Sequence, residues 1–418
     1  MKRTQRLYLI LGGLFLLGLF LRLYGITSQP PISDEVAASY AAENYLRHGI
    51  FGQIMWYHPQ LRNILIYIAA HISGGYDAWG LKGASVLTGS LSVVVLGWLA
   101  YRLTESITVS GLSALFLAID PLHIALSREA VQAAMTPFFI LLGVFLSVEA
   151  IKRDRLIYHY LSGIGFGLAT SCKWHGLFPW ALMALVVFFD TLRGKGDERP
   201  GRLLMLVNAY LLLPLLIYIL SYLPWLNRGY DLMEFLRFQF FLVKRQLYHQ
   251  GPAYAETFMG HHAWTWFVWP TAWVDFVFLN GRPYLNIAMG NLLVWFLTIP
   301  STLYVFFRWR KDRDREKLIL LLLFLTSYLP LVLTSRGIWV FSAPSVIPFA
   351  FMLTAWSMGM LLQSGRLKRS AVVFYLCLVC LLSAVMYPMS TFRAYEHAYL
   401  KPIVEHYNPH NKRWNLER

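Results

Sequence analysis

Two adjacent carboxylates, Asp34 and Glu35, stand just past the first long apolar stretch (Leu7 to Ile26), in a chain whose other charges fall mostly between apolar runs. A carboxylate at a water–membrane boundary can accept a proton from a hydroxyl, and a pair held there suits chemistry on a membrane-bound substrate. A plainer reading stands beside it. Ser33 can cap a helix start, and acids in a first helical turn complement the helix dipole. Capping needs only one acid, so the second still lacks a task.

Cations able to hold a phosphate recur at later boundaries. Arg128 lies in DPLHIALSRE (Asp120 to Glu129), a short turn between two apolar stretches. Lys173, Trp174 and His175 follow in SCKWHG (Ser171 to Gly176), and Arg336 in LTSRGIW (Leu333 to Trp339). Each can also snorkel to a lipid headgroup, and Arg128 could instead orient Glu35. Trp264, Trp266 and Trp269 offer flat faces to a sugar or a prenyl chain, or simply join the aromatic belts of a membrane protein. His58, His261 and His262 lack the spacing of a joint metal site, which leaves surface or substrate-side roles. Cys377 and Cys380 form a CxxC inside an apolar run, where thiols act as small hydrophobes, and three cysteines make no disulfide framework.

The composition says what positions these groups. At 57% hydrophobic and 14% charged, 418 residues cannot form a soluble globular chain, so the class is a polytopic membrane protein. The formal charge of +15 sits in short clusters between apolar runs rather than along one polar face, which argues against a nucleic-acid partner. Apolar runs long enough to span lie near 7–26, 82–101, 129–150, 203–226, 286–306, 317–334, 338–363 and 370–392. Shorter, interrupted runs at 107–120, 157–171 and 175–190 fit as buried or tilted spans. The expectation is an all-α bundle of about eleven transmembrane helices, forming a single domain over 1–418.

Placing the N-terminus, with Lys2, Arg3 and Arg6, in the cytoplasm puts the densest basic runs on the same side: Lys152–Arg155, Arg193–Arg199, Arg308–Lys317 and Arg366–Arg369. Three stretches then lie outside: 28–81, which carries Asp34 and Glu35, then 227–285, and the tail 393–418. The first apolar run has no small-residue cleavage site and reads as an uncleaved anchor. His58 to His71 and Phe235 to Gln250 read as amphipathic helices lying at the interface, the second bearing Arg237, Lys244 and Arg245 toward headgroups or gating the site.

These stretches, in this order, resemble the protein O-mannosyltransferase family, membrane glycosyltransferases of the GT-C class that take a sugar from a polyprenyl phosphate. The matching segments are the Asp34-Glu35 pair, HPQL (His58 to Leu61), LSRE (Leu126 to Glu129), SCKWHGLF (Ser171 to Phe178), HAWTWFVWP (His262 to Pro270) and AMGNLLVW (Ala288 to Trp295). The resemblance implies an inverting transfer of mannose to a hydroxyl acceptor, a Ser or Thr of a protein or else a lipid, at the outer face of a prokaryotic plasma membrane and without a metal cofactor. It implies that Asp34 is the base and that Glu35 positions the acceptor or pairs with Arg128. Arg128, Lys173 and Arg336 would hold the donor phosphate; His58, Trp174, His262, Trp264, Trp266 and Asn291 would line the substrate. The chain departs from the family pattern at Gln60, at Leu292, and at Ala133, where the family carries an acid five positions after the arginine of its turn. The middle loop also lacks the large soluble insertion of eukaryotic members. An aminoarabinose-transferase type of enzyme with a lipid acceptor is the alternative, and a lipid-linked sugar transporter a further one. Transport would call for internal repeats and mid-span charges, and neither is evident.

Overall fold

Where no water reaches the backbone, a chain must satisfy its amides internally, and long apolar runs become helices. The computed structural model describes residues 3–29, 31–51, 58–193, 199–248, 262–279, 282–334 and 338–391. Arg336, His261 and the tail 393–418 lie outside the described residues. The first four helices are α1 (Arg3–Leu23), α2 (Ser33–His48), α3 (Leu61–Ser73) and α4 (Ala78–Thr104); α5 (Ile107–Ile119), α6 (Pro121–Ser127), α7 (Gln132–Arg153), α8 (Leu156–Cys172) and α9 (Leu177–Arg193) follow. Next come α10 (Arg199–Val207), α11 (Leu213–Leu220), α12 (Leu223–Leu226) and α13 (Leu232–Tyr248), then strands β1 (Ala272–Leu279) and β2 (Arg282–Met289). The chain closes with α14 (Leu292–Trp295), α15 (Thr298–Asp312), α16 (Arg315–Leu333), α17 (Ile347–Gln363) and α18 (Arg369–Met386).

Each of the eleven apolar stretches contains a helix. Among the described residues eight helical segments are long and apolar enough to cross a membrane, and α5 with α6, bent by 59°, forms a ninth. The 17-residue helices α8 and α17 fill the other two stretches. The protein is an integral membrane protein, and its span count is consistent with about eleven. The bend is built into the sequence: the Asp120 side chain accepts from the backbone amide of His123 at 2.9 Å, and Pro121 occupies the first turn of α6.

The helix bundle expected from the sequence carries one short hairpin. Strands β1 and β2 pair antiparallel, Ala272 opposite Met289 through Leu279 opposite Arg282. The apolar stretch placed at 286–306 therefore begins as strand, and its helical part starts at Leu292. Alternating aromatic and aliphatic residues around Asn280-Gly281 favour a hairpin over a span entry.

Two ends of the bundle differ. At one, Glu149 of α7 pairs with both Arg102 and Arg153, Lys152 pairs with Glu316, Arg315 with Asp190, and Arg202 with Asp154. This belt joins basic segments assigned from sequence to a single side. The opposite end carries α2, α3, the hairpin and the 3-10 turn at Val340–Ser345. Helix α3 turns Arg62 and Asn63 inward and leaves Ile68 and Ile72 exposed, as a helix at an apolar surface should.

Candidate active site

Asp34 enters the site through the geometry of the first turn of α2. The helix starts with Ile32 at its N-cap, and Glu35, three residues on, reaches back to accept from the Ile32 amide at 3.0 Å. Its other oxygen accepts from the amide of Ala130 at 2.9 Å, and Lys82 of α4 places its Nζ 3.5 Å away. Glu35 is completely buried. Burial pushes its carboxyl upward, and the ammonium of Lys82 with the two amides draws it back. The cation at Glu35 is thus Lys82 rather than Arg128, and the residue fixes where α2 begins. At the far end Gly49, at φ 62°, closes α2 against Pro224, whose carbonyl oxygen would lie 2.2 Å from a β-carbon there.

With its neighbour anchored, Asp34 faces a cleft lined by Ile32, His58, Leu126, Glu129, Val131, Gln132, Ala133, Trp273, Trp339 and Phe341. The cleft is partly open to solvent. Arg62 is its buried cationic support, with Nη2 2.7 Å from Asn63 Oδ1 and Nη1 3.5 Å from Gln132 Oε1. Asn63 in turn donates to Gln60 Oε1 at 2.7 Å. Desolvation raises the Asp34 carboxyl above its ordinary value, and the charge of Arg62 takes back part of that rise. Such a group is a better proton acceptor than a solvated aspartate.

An aromatic wall faces this polar floor. Trp273, Trp339 and Phe341 stand with ring centroids 5.4 to 5.5 Å apart. Lys173 rests 4.9 Å from the centre of the Phe341 ring and donates to Ser342 at 3.0 Å, which brings an ammonium to the cleft wall. An aromatic face beside a cation and a desolvated carboxylate can hold a sugar phosphate while a hydroxyl is deprotonated.

The structure thus gathers Asp34 and His58 in the cleft with Lys173 at its wall, and leaves other sequence candidates elsewhere. Arg128 is buried and donates to the carbonyls of Arg22 and Tyr24 at 2.8 Å and to Gln29 at 3.0 Å, closing the C-terminal end of α1. Trp174 donates to the Tyr218 hydroxyl at 2.9 Å. Trp266 is buried against Tyr328, whereas Trp264 and His262 are exposed. Asn291 is buried between Asp120, which accepts from its amide N–H at 3.0 Å, and α18, where its side chain donates to Val379 and Ser383. Gly290 packs so closely on Trp295 that a β-carbon would meet the ring. Sequence reasoning missed Arg62, Lys82, Gln132, Trp273 and Trp339 as site residues. Gln60, Arg62 and Asn63 inside an apolar helical stretch were the available signal.

The fold is the helix bundle of the GT-C type, with a cleft at one end. Residues 54–227 match the family described as dolichyl-phosphate-mannose-protein mannosyltransferase. The chain is 21% identical over 406 residues to the polyprenol-phosphate-mannose–protein mannosyltransferase of Corynebacterium glutamicum, covering 79% of this chain and 77% of that protein. To the Mycobacterium tuberculosis protein of the same name it is 22% identical over 472 residues, covering 95% and 88%. Its fold matches ArnT from Cupriavidus metallidurans, solved bound to undecaprenyl phosphate, with a TM-score of 0.60 at 15% identity, over 93% of this chain and 65% of that one. Over residues 54–227 and along these relatives, the chain is similar to the protein O-mannosyltransferases.

Proposed function

We propose that the protein transfers mannose from a polyprenyl-phosphate carrier to a serine or threonine hydroxyl of a protein, at the outer face of a prokaryotic plasma membrane. The observation that carries the reading is Asp34, desolvated above Arg62 on the rim of a cleft whose opposite wall is aromatic and bears Lys173. The names of the relatives supply the sugar and the acceptor class.

In this reading Asp34 accepts the acceptor's hydroxyl proton as its oxygen bonds to the anomeric carbon. The bond from that carbon to the phosphate oxygen breaks, and the phosphate leaves on the carrier lipid beside Lys173, with inversion at the sugar. Trp273, Trp339 and Phe341 stack on the ring. The basic belt lies in the cytoplasm with the N-terminus, and the cleft opens outward. The reaction takes no metal; cationic side chains stabilise the leaving phosphate. The test is to supply membranes containing the full chain with polyprenyl-phosphate-[14C]mannose and to follow the label. Label on protein that is released by β-elimination supports the reading, and label on lipid alone replaces it with a lipid-modifying transferase.

A further inference from the structure

Gln132 opens α7 and lines the cleft, yet it is only 7% exposed. Its Oε1 accepts from Arg62 Nη1 at 3.5 Å, which leaves the amide nitrogen as the open end. Among the described residues nothing accepts from that nitrogen, and it is not sealed in the interior, so its N–H groups face the cleft. A donor so far removed from water calls for an acceptor.

The backbone around it has the same need. Helix α7 runs for 22 residues from Val131, an N-cap that makes no side-chain capping bond. The amide just before it, on Ala130, already donates to the Glu35 carboxylate at 2.9 Å. The first-turn N–H groups, from Gln132 to Ala134, have no capping side chain and carry the positive end of the helix dipole. Val131, Gln132 and Ala133 all line the cleft, and the small Ala133 side chain leaves this backbone within reach of a ligand.

Helix α7 also packs against the turn Val340–Ser345, whose Phe341 and Ser342 hold the Lys173 ammonium. Amide donors, a helix N-terminus and a cation together suit a ligand that only accepts hydrogen bonds, such as a phosphate. Asp34, Glu35 and Glu129 bring negative charge to this region, and Arg62, Lys82 and Lys173 match it one for one. The helix terminus then tips the balance toward an anion.

We propose that Gln132 and the N-terminus of α7 bind the phosphate of the lipid-linked donor and share its charge with Lys173. The inference rests on the donor of the proposed function and adds to it the site that receives the leaving phosphate.

The experiment measures binding of three lipids to the full chain in phosphatidylcholine nanodiscs: polyprenyl-phosphate-mannose, sugar-free polyprenyl phosphate, and polyprenol, which has no phosphate. It compares wild type, Gln132→Glu and Gln132→Met. Glutamate keeps the shape of the side chain, and an acid in the first turn suits the helix dipole, so this variant should melt no lower than wild type. Its charge repels phosphate, and both phosphate-bearing lipids should bind about tenfold more weakly or worse, with polyprenol unchanged. Gln132→Met, which removes only the donor, should weaken both by about fivefold. Should the Glu variant melt early, the Met variant decides by the same comparison. Phosphate lipids bound by these variants as tightly as by wild type, or polyprenol weakened as much as they are, would overturn the assignment. Excess phosphatidylglycerol should leave the donor in place; displacement would reassign the site to an ordinary anionic headgroup. Wild type that binds neither phosphate lipid removes the donor of the proposed function and this site with it, whereas a failure of the Gln132 assignment alone shows only in the variants.

Discussion

Glu35 and Lys82 form an ion pair sealed from solvent, 3.5 Å from Oε2 to Nζ, that ties the helix bearing Asp34 to the long span α4. The catalytic candidate and the residue that fixes its position are neighbours in sequence but have opposite surroundings, one on a cleft and one with no access to water. Rigid support of this kind is what a proton-accepting group needs if its geometry is to survive substrate binding.

Removing one partner of a buried pair leaves an uncompensated charge, so Lys82→Met should cost roughly 3–5 kcal/mol of stability. Combining Lys82→Met with Glu35→Gln should restore much of it. Melting curves in detergent read both effects, and a Lys82→Met protein as stable as wild type would show that the pair contributes nothing.

The Asp34 carboxyl is raised by desolvation and held back by Arg62, which fixes two signs. As a base it must be ionised, so the acid limb of kcat/KM should lie above the ordinary aspartate value of 3.8 and move higher in Arg62→Met. For stability, a carboxyl raised on folding favours the folded state below its unfolded pKa and loses that contribution as pH rises through the folded value. Asp34→Asn should therefore melt above wild type at neutral pH, with the difference vanishing at acid pH. Rate profiles and melting curves across pH check both signs.

Lys173 rests on the ring of Phe341, a lining residue of the cleft, and donates to Ser342. Its replacement by Ala should raise the KM for the lipid-linked donor about tenfold, since a charge-assisted bond to phosphate is lost, with little change in acceptor KM. An effect confined to the acceptor would assign Lys173 elsewhere.

Chelation tests the metal-free mechanism. Transfer should proceed at an undiminished rate after dialysis against EDTA, and activity that returns only on adding a divalent cation would require a metal in the cleft.

The spans were legible because hydropathy over a membrane's thickness is a strong signal, and the basic runs at 152–155 and 308–317 meet in one ion-paired belt. The hairpin was also written in the sequence, in Asn280-Gly281 between alternating runs, but its apolar strands blended with the adjoining span. Lys82 and Glu35 could not be paired from sequence, because only packing decides which buried cation meets which acid. Arg128 looked like a phosphate ligand by residue type, whereas a helix end with unsatisfied carbonyls lies beside it. Trp273 and Trp339 resemble every other interfacial Trp until the chain brings them to one wall.

The most direct test of the account is transfer of labelled mannose from polyprenyl-phosphate-mannose in membranes by wild type and Asp34→Asn, with donor binding measured in parallel. The account expects wild type to transfer, and the variant to bind donor normally while losing roughly a thousandfold in rate, as when a base and its charge are both removed. An Asn variant that keeps donor binding and transfers at the wild-type rate would contradict it.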